Sequence, residues 1–253
     1  MAVAVMTWAC QSERVSEDRR ESGDKASTLE SVDRRPVVLF LGTSLTAGLG
    51  VPEEESFAGI IGRKIDSLGA PLRVVNAGES GGTSAGGLRR IDFLLDQYEV
   101  AVLVLELGAN DGLRGLDIDA MRANLEAIIV NTKTAFPESD LVIAGMEAPP
   151  NLGELYTREF RGVFAELADK HAARLIPFLL EGVGAVPQMN QDDGIHPNAE
   201  GHALIAQNVW QVLEGLVRER IEVVAPVSGD SQTRCPAEAG HLPCAIAALN
   251  RQS

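Results

Sequence analysis

The sequence has few basic residues for its length, and it lacks any long apolar run. Its 253 residues hold 22 lysines and arginines against 36 aspartates and glutamates, which gives a net charge of −14. No basic stripe is present to neutralise phosphates, so we expect no nucleic-acid partner. No apolar stretch approaches the ~20 residues that a membrane-spanning helix needs. An integral membrane segment is therefore not expected either.

Cysteine is also scarce, and the sequence lacks the usual nucleotide-binding signatures. The three cysteines, Cys10, Cys235 and Cys244, show no zinc-ligand spacing, so we expect no metal site. Cys235 and Cys244 could form a short disulfide in an oxidising compartment, or they could stay two free thiols. Neither Gly-Lys-Ser/Thr nor Gly-x-Gly-x-x-Gly occurs, which argues against a site for a phosphate or nucleotide cofactor.

The N-terminus changes composition abruptly at Cys10. Residues 1–10 are apolar and uncharged, whereas residues 11–35 are rich in charge and too polar to form a core. Small residues before a cysteine resemble a bacterial lipobox, which predicts a lipid anchor at Cys10 and a periplasmic or membrane-anchored protein. Thr7 and Trp8 fit that motif poorly, so a dispensable leader on a cytoplasmic protein stays open. We interpret residues 1–35 as a signal or lipobox remnant followed by a linker.

From Pro36 onwards, short apolar runs alternate with amphipathic stretches. This alternation predicts an α/β fold, a three-layer α/β/α sandwich around a five-stranded parallel sheet, in one domain over residues 36–220. The run from Val100 has no polar alternation, as in a strand that helices cover on both faces. Residues 221–253 are interpreted as a tail without an assigned role. The predicted strands are Val37–Leu41, Arg73–Asn76, Val100–Leu107, Leu141–Ala144 and Arg174–Phe178, and the predicted helices are Phe57–Leu68, Ala85–Gln97, Ile118–Ala135, Glu154–His171 and Ala199–Arg220.

Polar residues and glycine follow each predicted strand. Ligands of open parallel sheets bind beyond the carboxyl ends of the strands, so we expect a site at that edge. The residues concerned are Ser44, Gly78, Asn110, Asn151, and the pair Asp193 and His196.

Asp193 and His196 lie in a turn that Gly194 and Pro197 would make rigid. A carboxylate three residues before a histidine can hold one ring nitrogen while the other nitrogen takes a proton from a nucleophile. The best candidate nucleophile is Ser44, about 150 residues upstream. Asp192 is the alternative carboxylate.

Four sequence blocks together resemble the SGNH, or GDSL, hydrolases, and in particular their bacterial thioesterase I, arylesterase and lysophospholipase branch. The resemblance runs across the core and implies the flavodoxin-like SGNH fold. Each block alone is a weak signal, whereas all four in order at strand ends are specific. The blocks are Gly42-Thr43-Ser44-Leu45-Thr46-Ala47-Gly48, Asn76-Ala77-Gly78-Glu79-Ser80-Gly81, Gly108-Ala109-Asn110-Asp111 and Asp193-Gly194-Ile195-His196-Pro197-Asn198.

The resemblance assigns a role to each block. It implies that Ser44 is the nucleophile, His196 the general base and then acid, and Asp193 the residue that orients the imidazole. An oxyanion hole would consist of the backbone N–H groups of Ser44 and Gly78 and the side-chain amide of Asn110. Where the family usually has aspartate this chain has Thr43, which places the hydrogen bonding around the Ser44 loop in question.

Two further segments are predicted to contact substrate. Glu79 lies beside the proposed oxyanion donor Gly78, in a glycine-rich stretch that could gate the acyl site. The segment from Glu147 to Tyr156, which includes Pro149 and Asn151, resembles the substrate loop of the thioesterase branch and would edge the acyl pocket.

The resulting hypothesis is a serine esterase or thioesterase that needs no metal or cofactor. Its small-molecule substrates would be aryl esters, short to medium acyl esters, acyl thioesters and lysophospholipids, cleaved through an acyl-enzyme. A carbohydrate O-acetylesterase or acyltransferase on the same fold is the alternative, although the sequence offers little aromatic surface for sugar stacking. A non-catalytic phosphate-binding domain is a third hypothesis, which the missing phosphate-binding motifs disfavour. The sequence does not indicate an oligomeric state.

Overall fold

The computed structural model describes residues 33–224 of the chain. Three predictions made from the sequence lie outside these residues: the lipid anchor at Cys10, the linker over most of its length, and the Cys235–Cys244 disulfide. The tail lies outside them as well, apart from its first residues. No helix within 33–224 is long and apolar enough to cross a membrane.

A five-stranded sheet forms the centre of the fold. Its strands are β1 (Val37–Gly42), β2 (Arg73–Gly78), β3 (Val100–Glu106), β4 (Asp140–Ala144) and β5 (Arg174–Ile176). They are all parallel and lie in the order β2-β1-β3-β4-β5. Strands β1 and β3 are buried along their whole length, as expected for a sheet covered on both faces. The predicted five-stranded parallel sheet is confirmed.

Seven α-helices connect and flank these strands within residues 33–224. They are α1 (Ser44–Ala47), α2 (Phe57–Ser67), α3 (Ser84–Gln97), α4 (Ala109–Leu113), α5 (Ile118–Ala135), α6 (Glu154–Lys170) and α7 (Ala199–Val224). Helix α2 packs with α7, while α5 packs with α3 and α6. Short 3-10 helices cover Glu53–Glu55, Pro150–Leu152 and Pro187–Met189.

Side-chain caps fix where several helices begin. Ser56 accepts a hydrogen bond from the Gly59 N–H at the start of α2, and Asp117 does the same for Ala120 at the start of α5. Such caps satisfy amide groups that have no partner inside the helix. All five predicted helices begin within one residue of the expected position.

The structure differs from the sequence prediction at several element ends; β2, for example, continues to Gly78 rather than ending at Asn76. Helices α1 and α4 were not predicted, because four or five residues are too few for a periodic signal. Strand β5 ends at Ile176 rather than Phe178, since Pro177 has no N–H to continue the ladder. Helix α7 continues to Val224 rather than ending at Arg220.

The order of the strands decides where a ligand can enter. From β1 the chain moves to β2 on one side, and it later returns to β3 on the other side. Such a reversal opens a crevice at the carboxyl ends of the two central strands. Ser44 follows β1 and Asn110 follows β3, so both lie at this crevice.

Candidate active site

Ser44 is the first residue of α1, directly beyond the carboxyl end of β1. Thr43 caps this short helix, its side-chain oxygen accepting from the Leu45 N–H, and Gly48 ends the helix in the left-handed region with φ of 71°. Glycine adopts that conformation without strain. The turn thus places the Ser44 hydroxyl at the edge of the sheet.

The carboxylate of Glu106, the last residue of β3, lies directly beneath the Ser44 turn. It is fully buried and accepts hydrogen bonds from the backbone N–H of Thr43 at 2.8 Å and of Thr46 at 3.2 Å. The hydroxyls of Thr43 and Thr46 also donate to it, at 3.0 and 2.7 Å. Burial raises the pKa of the Glu106 carboxyl, an effect that these hydrogen bonds oppose. Thr43 therefore anchors the loop as a donor to Glu106.

His196 contacts both Ser44 and Asp193. Its Nε2 lies 3.0 Å from the Ser44 Oγ, and its Nδ1 lies 2.6 Å from Oδ2 of Asp193. The three side chains form one chain of hydrogen bonds across 152 residues of sequence. The carboxylate that the structure brings to the imidazole is that of Asp193, and not that of its neighbour Asp192.

The Asp193 carboxylate is held in its charged form. Its Oδ1 accepts from the backbone N–H groups of Ile195 and His196, both at 3.0 Å. The backbone and side chain of His196, followed by the backbone of Ile195, lower the pKa of Asp193 from 3.8 to about 2. Asp193 is therefore ionised throughout the pH range in which an imidazole titrates.

Asn110 lies in α4 on the wall of the crevice. Its side-chain amide donates to the Gly82 carbonyl oxygen at 2.9 Å, and an amide has a second N–H for another acceptor. The next residue, Asp111, is buried and accepts from both the N–H and the hydroxyl of Ser84, at 2.9 and 2.6 Å. These contacts tie α4 to the start of α3 and so fix the position of Asn110.

Gly78 does not lie on the wall of the crevice, although the sequence prediction placed it there. Its N–H donates to the Asn76 side chain at 3.0 Å, and that side chain also donates to the Thr46 carbonyl at 2.8 Å. A Cβ on Gly78 would overlap the backbone of Ala47. Gly78 thus allows β2 and α1 to pack closely, and its amide already has an acceptor.

Gly81 occupies the position predicted for Gly78. It lines the crevice together with Ser44 and Asn110. Its φ of +76° favours glycine, and a Cβ at this position would have a guanidinium nitrogen of Arg114 as its nearest neighbour, at 3.7 Å. Its N–H donates to no acceptor in residues 33–224. Ser44, Gly81 and Asn110 thus line the same cavity, and each of them carries an N–H donor.

A cavity of about 630 Å³ opens beside these groups. Most of its wall is apolar, and Phe178 is the one Phe, Tyr or Trp among the described residues that line it. Three of the exposed large apolar side chains, Leu49, Leu113 and Ile195, lie along it. The other apolar lining residues are Leu45, Ala109, Met146, Ala148, Pro149, Pro150, Leu180 and Ala185.

Of the four residues predicted to contact substrate, Pro149 alone lines this cavity. Glu79 instead pairs with Arg90, at 2.9 Å between the Glu79 Oε2 and the Arg90 Nε. Asn151 is exposed in the 3-10 helix that precedes α6. Tyr156 stacks on Phe160 and donates its hydroxyl to the Leu116 carbonyl at 2.8 Å. A resemblance to a loop does not show which of its side chains turn inward.

Sequence reasoning missed Gly81 and Glu106. A signal existed for Glu106, because a carboxylate at the end of an entirely apolar strand is costly unless it has partners. For Gly81 the only signal was that several glycines follow the second strand. Their spacing does not show which of them lines the site. No cluster of three or more histidine, cysteine, aspartate or glutamate side chains within residues 33–224 could hold a metal ion.

Comparison with known proteins agrees with this geometry. A parallel α/β sheet with a Ser-His-Asp hydrogen-bond chain is an arrangement found in serine hydrolases. Residues 40–204 match the GDSL-like lipase/acylhydrolase family. The chain is 37% identical over 180 residues to an esterase, TesA, of Pseudomonas aeruginosa, a match that covers 71% of this chain and 89% of that protein.

Two further proteins match a similar share of this chain at a similar level of sequence identity. Thioesterase 1/protease 1/lysophospholipase L1 of Escherichia coli K12 is 36% identical over 180 residues, which covers 71% of this chain and 84% of that protein. The crystal structure of the psychrotrophic esterase EstA from Pseudoalteromonas sp., inhibited by monoethylphosphonate, superposes with a TM-score of 0.67 at 32% identity, covering 72% of this chain and 98% of that one. The chain therefore belongs to the GDSL-like lipase/acylhydrolase family, and it is a carboxylic ester hydrolase.

Proposed function

We propose that the chain hydrolyses small acyl esters and thioesters through an acyl-enzyme on Ser44. The observation that carries this proposal is the hydrogen-bond chain from the Ser44 Oγ through His196 to Asp193, at 3.0 and 2.6 Å. A nucleophile, a base and a group that orients the base are thus within hydrogen-bond reach of one another.

In the first half of the reaction, the Ser44 Oγ attacks the ester carbonyl carbon while His196 Nε2 takes the hydroxyl proton. Asp193, kept ionised by its backbone donors, stabilises the imidazolium that forms. The developing oxyanion receives hydrogen bonds from the N–H groups of Ser44 and Gly81 and from the Asn110 amide. His196 then returns the proton to the departing alcohol or thiol.

In the second half, a water molecule repeats the attack on the acyl-enzyme. His196 takes a proton from the water, and the Ser44 Oγ leaves with that proton as the carboxylic acid forms. Every step uses the side chains and backbone of this chain.

The apolar cavity supports an acyl substrate over a sugar. Its wall presents aliphatic side chains next to Ser44, and the described residues that line it include neither tryptophan nor tyrosine. Aryl esters, acyl thioesters and lysophospholipids share an acyl group that such a wall would cover. Activity on acetylated sugars without activity on these substrates would favour the carbohydrate O-acetylesterase alternative.

A fluorophosphonate probe tests the proposal directly, because it reacts with an activated serine. We expect one adduct, on Ser44, and none in Ser44→Ala. That variant should also lose turnover of nitrophenyl esters while its circular dichroism stays unchanged. A series from nitrophenyl acetate to palmitate, run beside an acyl-CoA and a lysophospholipid, would then define the substrate. Wild-type protein that is folded but unlabelled would overturn the proposal.

A further inference from the structure

The turn that holds Asp193 and His196 is exposed at its tip, whereas its two ends, Asn190 and Pro197, are buried. Residues 192–195 are all exposed, and Gly194 adopts a positive φ of 74°. Asp193 and His196 bind each other, so their contact does not fix the turn against the rest of the protein. Contacts at the ends of the turn must therefore hold His196 at 3.0 Å from the Ser44 hydroxyl.

Gln191, at the start of this turn, makes contacts in both directions. Within the turn, its backbone N–H donates to the His196 carbonyl at 2.8 Å, and its own carbonyl accepts from the Gly194 N–H at 2.9 Å. Its side-chain Nε2 donates to the Pro197 carbonyl at 2.9 Å and to the Leu49 carbonyl at 2.7 Å. Leu49 belongs to the turn that follows Ser44, 142 residues earlier in the sequence.

The contact with Leu49 leads back to the nucleophile. The Leu49 N–H donates to the carbonyl oxygen of Ser44 itself at 3.0 Å. One path of hydrogen bonds therefore runs from the backbone of Ser44 through Leu49 and the Gln191 amide to Pro197, which adjoins His196. Within residues 33–224, two hydrogen bonds join the two turns. One is the contact between Ser44 and His196, and the other is the bond from the Gln191 amide to the Leu49 carbonyl.

Gly50 leaves the space that the Gln191 side chain needs. Gly50 has a φ of +84°, and a Cβ there would overlap the Gln191 amide group. Glycine at position 50 thus leaves room for the Gln191 amide beside the Ser44 turn. Gln191 takes no part in the reaction as proposed above, so its contacts need another explanation.

We propose that Gln191 is a positioning residue that holds the His196 turn against the Ser44 turn. The inference rests on the proposed function, since it concerns the distance between the nucleophile and its base. A displacement of about 1 Å between reacting groups can cost on the order of 100-fold in rate. The amide N–H groups of Gln191 would prevent such a displacement.

Gln191→Met and Gln191→Glu test the proposal, because both keep the length of the side chain and remove its amide donors. The glutamate would also direct a carboxylate at two carbonyl oxygens. Gln207→Met is the matched control, since Gln207 is exposed on α7 and no hydrogen bond joins it to either turn within residues 33–224. For each protein we would measure kcat and KM on a nitrophenyl ester, the rate of fluorophosphonate labelling, and the melting temperature.

We expect kcat and the labelling rate of both Gln191 variants to fall by about 10- to 100-fold. KM should stay within about twofold, because the acyl cavity is unchanged. Gln207→Met should match the wild type. A purely structural role would lower the melting temperature and leave kcat of the folded protein unchanged, which would overturn the proposal. Should Gln191→Met not fold, Gln191→Asn gives the same test, since it keeps the amide but withdraws it by one methylene.

The wild type separates the two proposals. Wild-type protein labelled at Ser44, beside Gln191 variants with unchanged rates, would overturn the positioning role alone. Folded wild-type protein without labelling would overturn both.

Discussion

Glu106 places a carboxylate inside the protein, beneath the proposed nucleophile. No lysine or arginine in residues 33–224 forms an ion pair with it. Its oxygens are satisfied by hydrogen bonds from Thr43 and Thr46, on either side of Ser44. A buried polar group without such partners would be costly, so these donors stabilise both Glu106 and the Ser44 turn. Thr43 lies at the position where the family usually has aspartate. Its hydroxyl can donate a hydrogen bond to Glu106, which an ionised aspartate could not do.

Thr43→Val tests this contact by removing one hydroxyl without changing the shape of the side chain. Glu106 would lose a donor in the core, and we expect the free energy of unfolding to fall by about 1–3 kcal/mol. Urea denaturation measures the loss. Thr43→Ser keeps the hydroxyl and should retain most of the stability. Equal losses in the two variants would show that the methyl group, and not the hydrogen bond, is what matters.

Asn110→Ala tests the proposed oxyanion hole. Losing one donor to the oxyanion typically lowers kcat by ~10²- to 10³-fold, and we expect a loss of that size here. Steady-state kinetics on a nitrophenyl ester measure it. Asn151→Ala is the matched control, because Asn151 is exposed and does not line the cavity. Similar kinetics in the two variants would exclude the assigned role of Asn110.

At the scale of elements, glycines in helices differ in what surrounds them. Gly162 lies in the middle of α6, and a Cβ there would have no atom within 4 Å. Gly87 lies in α3, where a Cβ would overlap the Leu107 side chain, which is itself fully buried. The first glycine only weakens its helix, whereas the second makes room for the core.

Gly162→Ala should therefore stabilise the protein by about 0.5–1 kcal/mol, because alanine loses less backbone entropy on folding. Gly87→Ala should destabilise it by about 1–3 kcal/mol through overpacking. Chemical denaturation of the two variants gives both values. Stabilisation by both substitutions would contradict this prediction. It would mean that the buried Leu107 side chain can move to make room for a methyl group at position 87.

At the scale of the whole molecule, His202 joins α2 to α7. It is fully buried, stacks on Phe57 with ring centres 6.1 Å apart, and accepts a hydrogen bond from the Phe57 N–H at its Nδ1. Its Nε2 has no hydrogen-bond partner among the residues that the structure describes. Burial, helped by the nearby His196, lowers the pKa of His202 from 6.5 to about 4.

This shift predicts how stability depends on pH. The unfolded chain binds a proton on His202 near pH 6.5, whereas the folded protein binds it only near pH 4. The neutral His202 therefore contributes its full share to the free energy of unfolding above pH 6.5, and this share is lost as the pH falls towards 4. The shift corresponds to about 3 kcal/mol. His202→Gln keeps an acceptor for Phe57 and cannot titrate, so its unfolding free energy should fall less between pH 7.5 and 4.5. Urea denaturation at both pH values checks this, and equal losses would contradict it.

The sequence by itself determined the sheet, the five long helices and the order of the polar loops. Apolar runs such as Val100–Leu105 cannot be solvated, and amphipathic stretches between them must cover the sheet, so local pattern and burial require the same elements. Ser44, Asp193 and His196 could be singled out because strand ends bring their loops to one edge.

Only the tertiary structure decided how individual side chains and amides are used around that edge. The sequence does not distinguish the roles of Gly78 and Gly81, which lie three residues apart. In the structure, the Gly78 N–H donates to Asn76, whereas Gly81 lies on the cavity wall. Glu79 turns to Arg90, and Tyr156 turns to Leu116. Glu106 and Gln191 meet partners 60 or more residues away, at Thr46 and Leu49. The direction in which a side chain points, and the distant residue that it meets, depend on how the helices and strands pack together. No local sequence pattern contains that information.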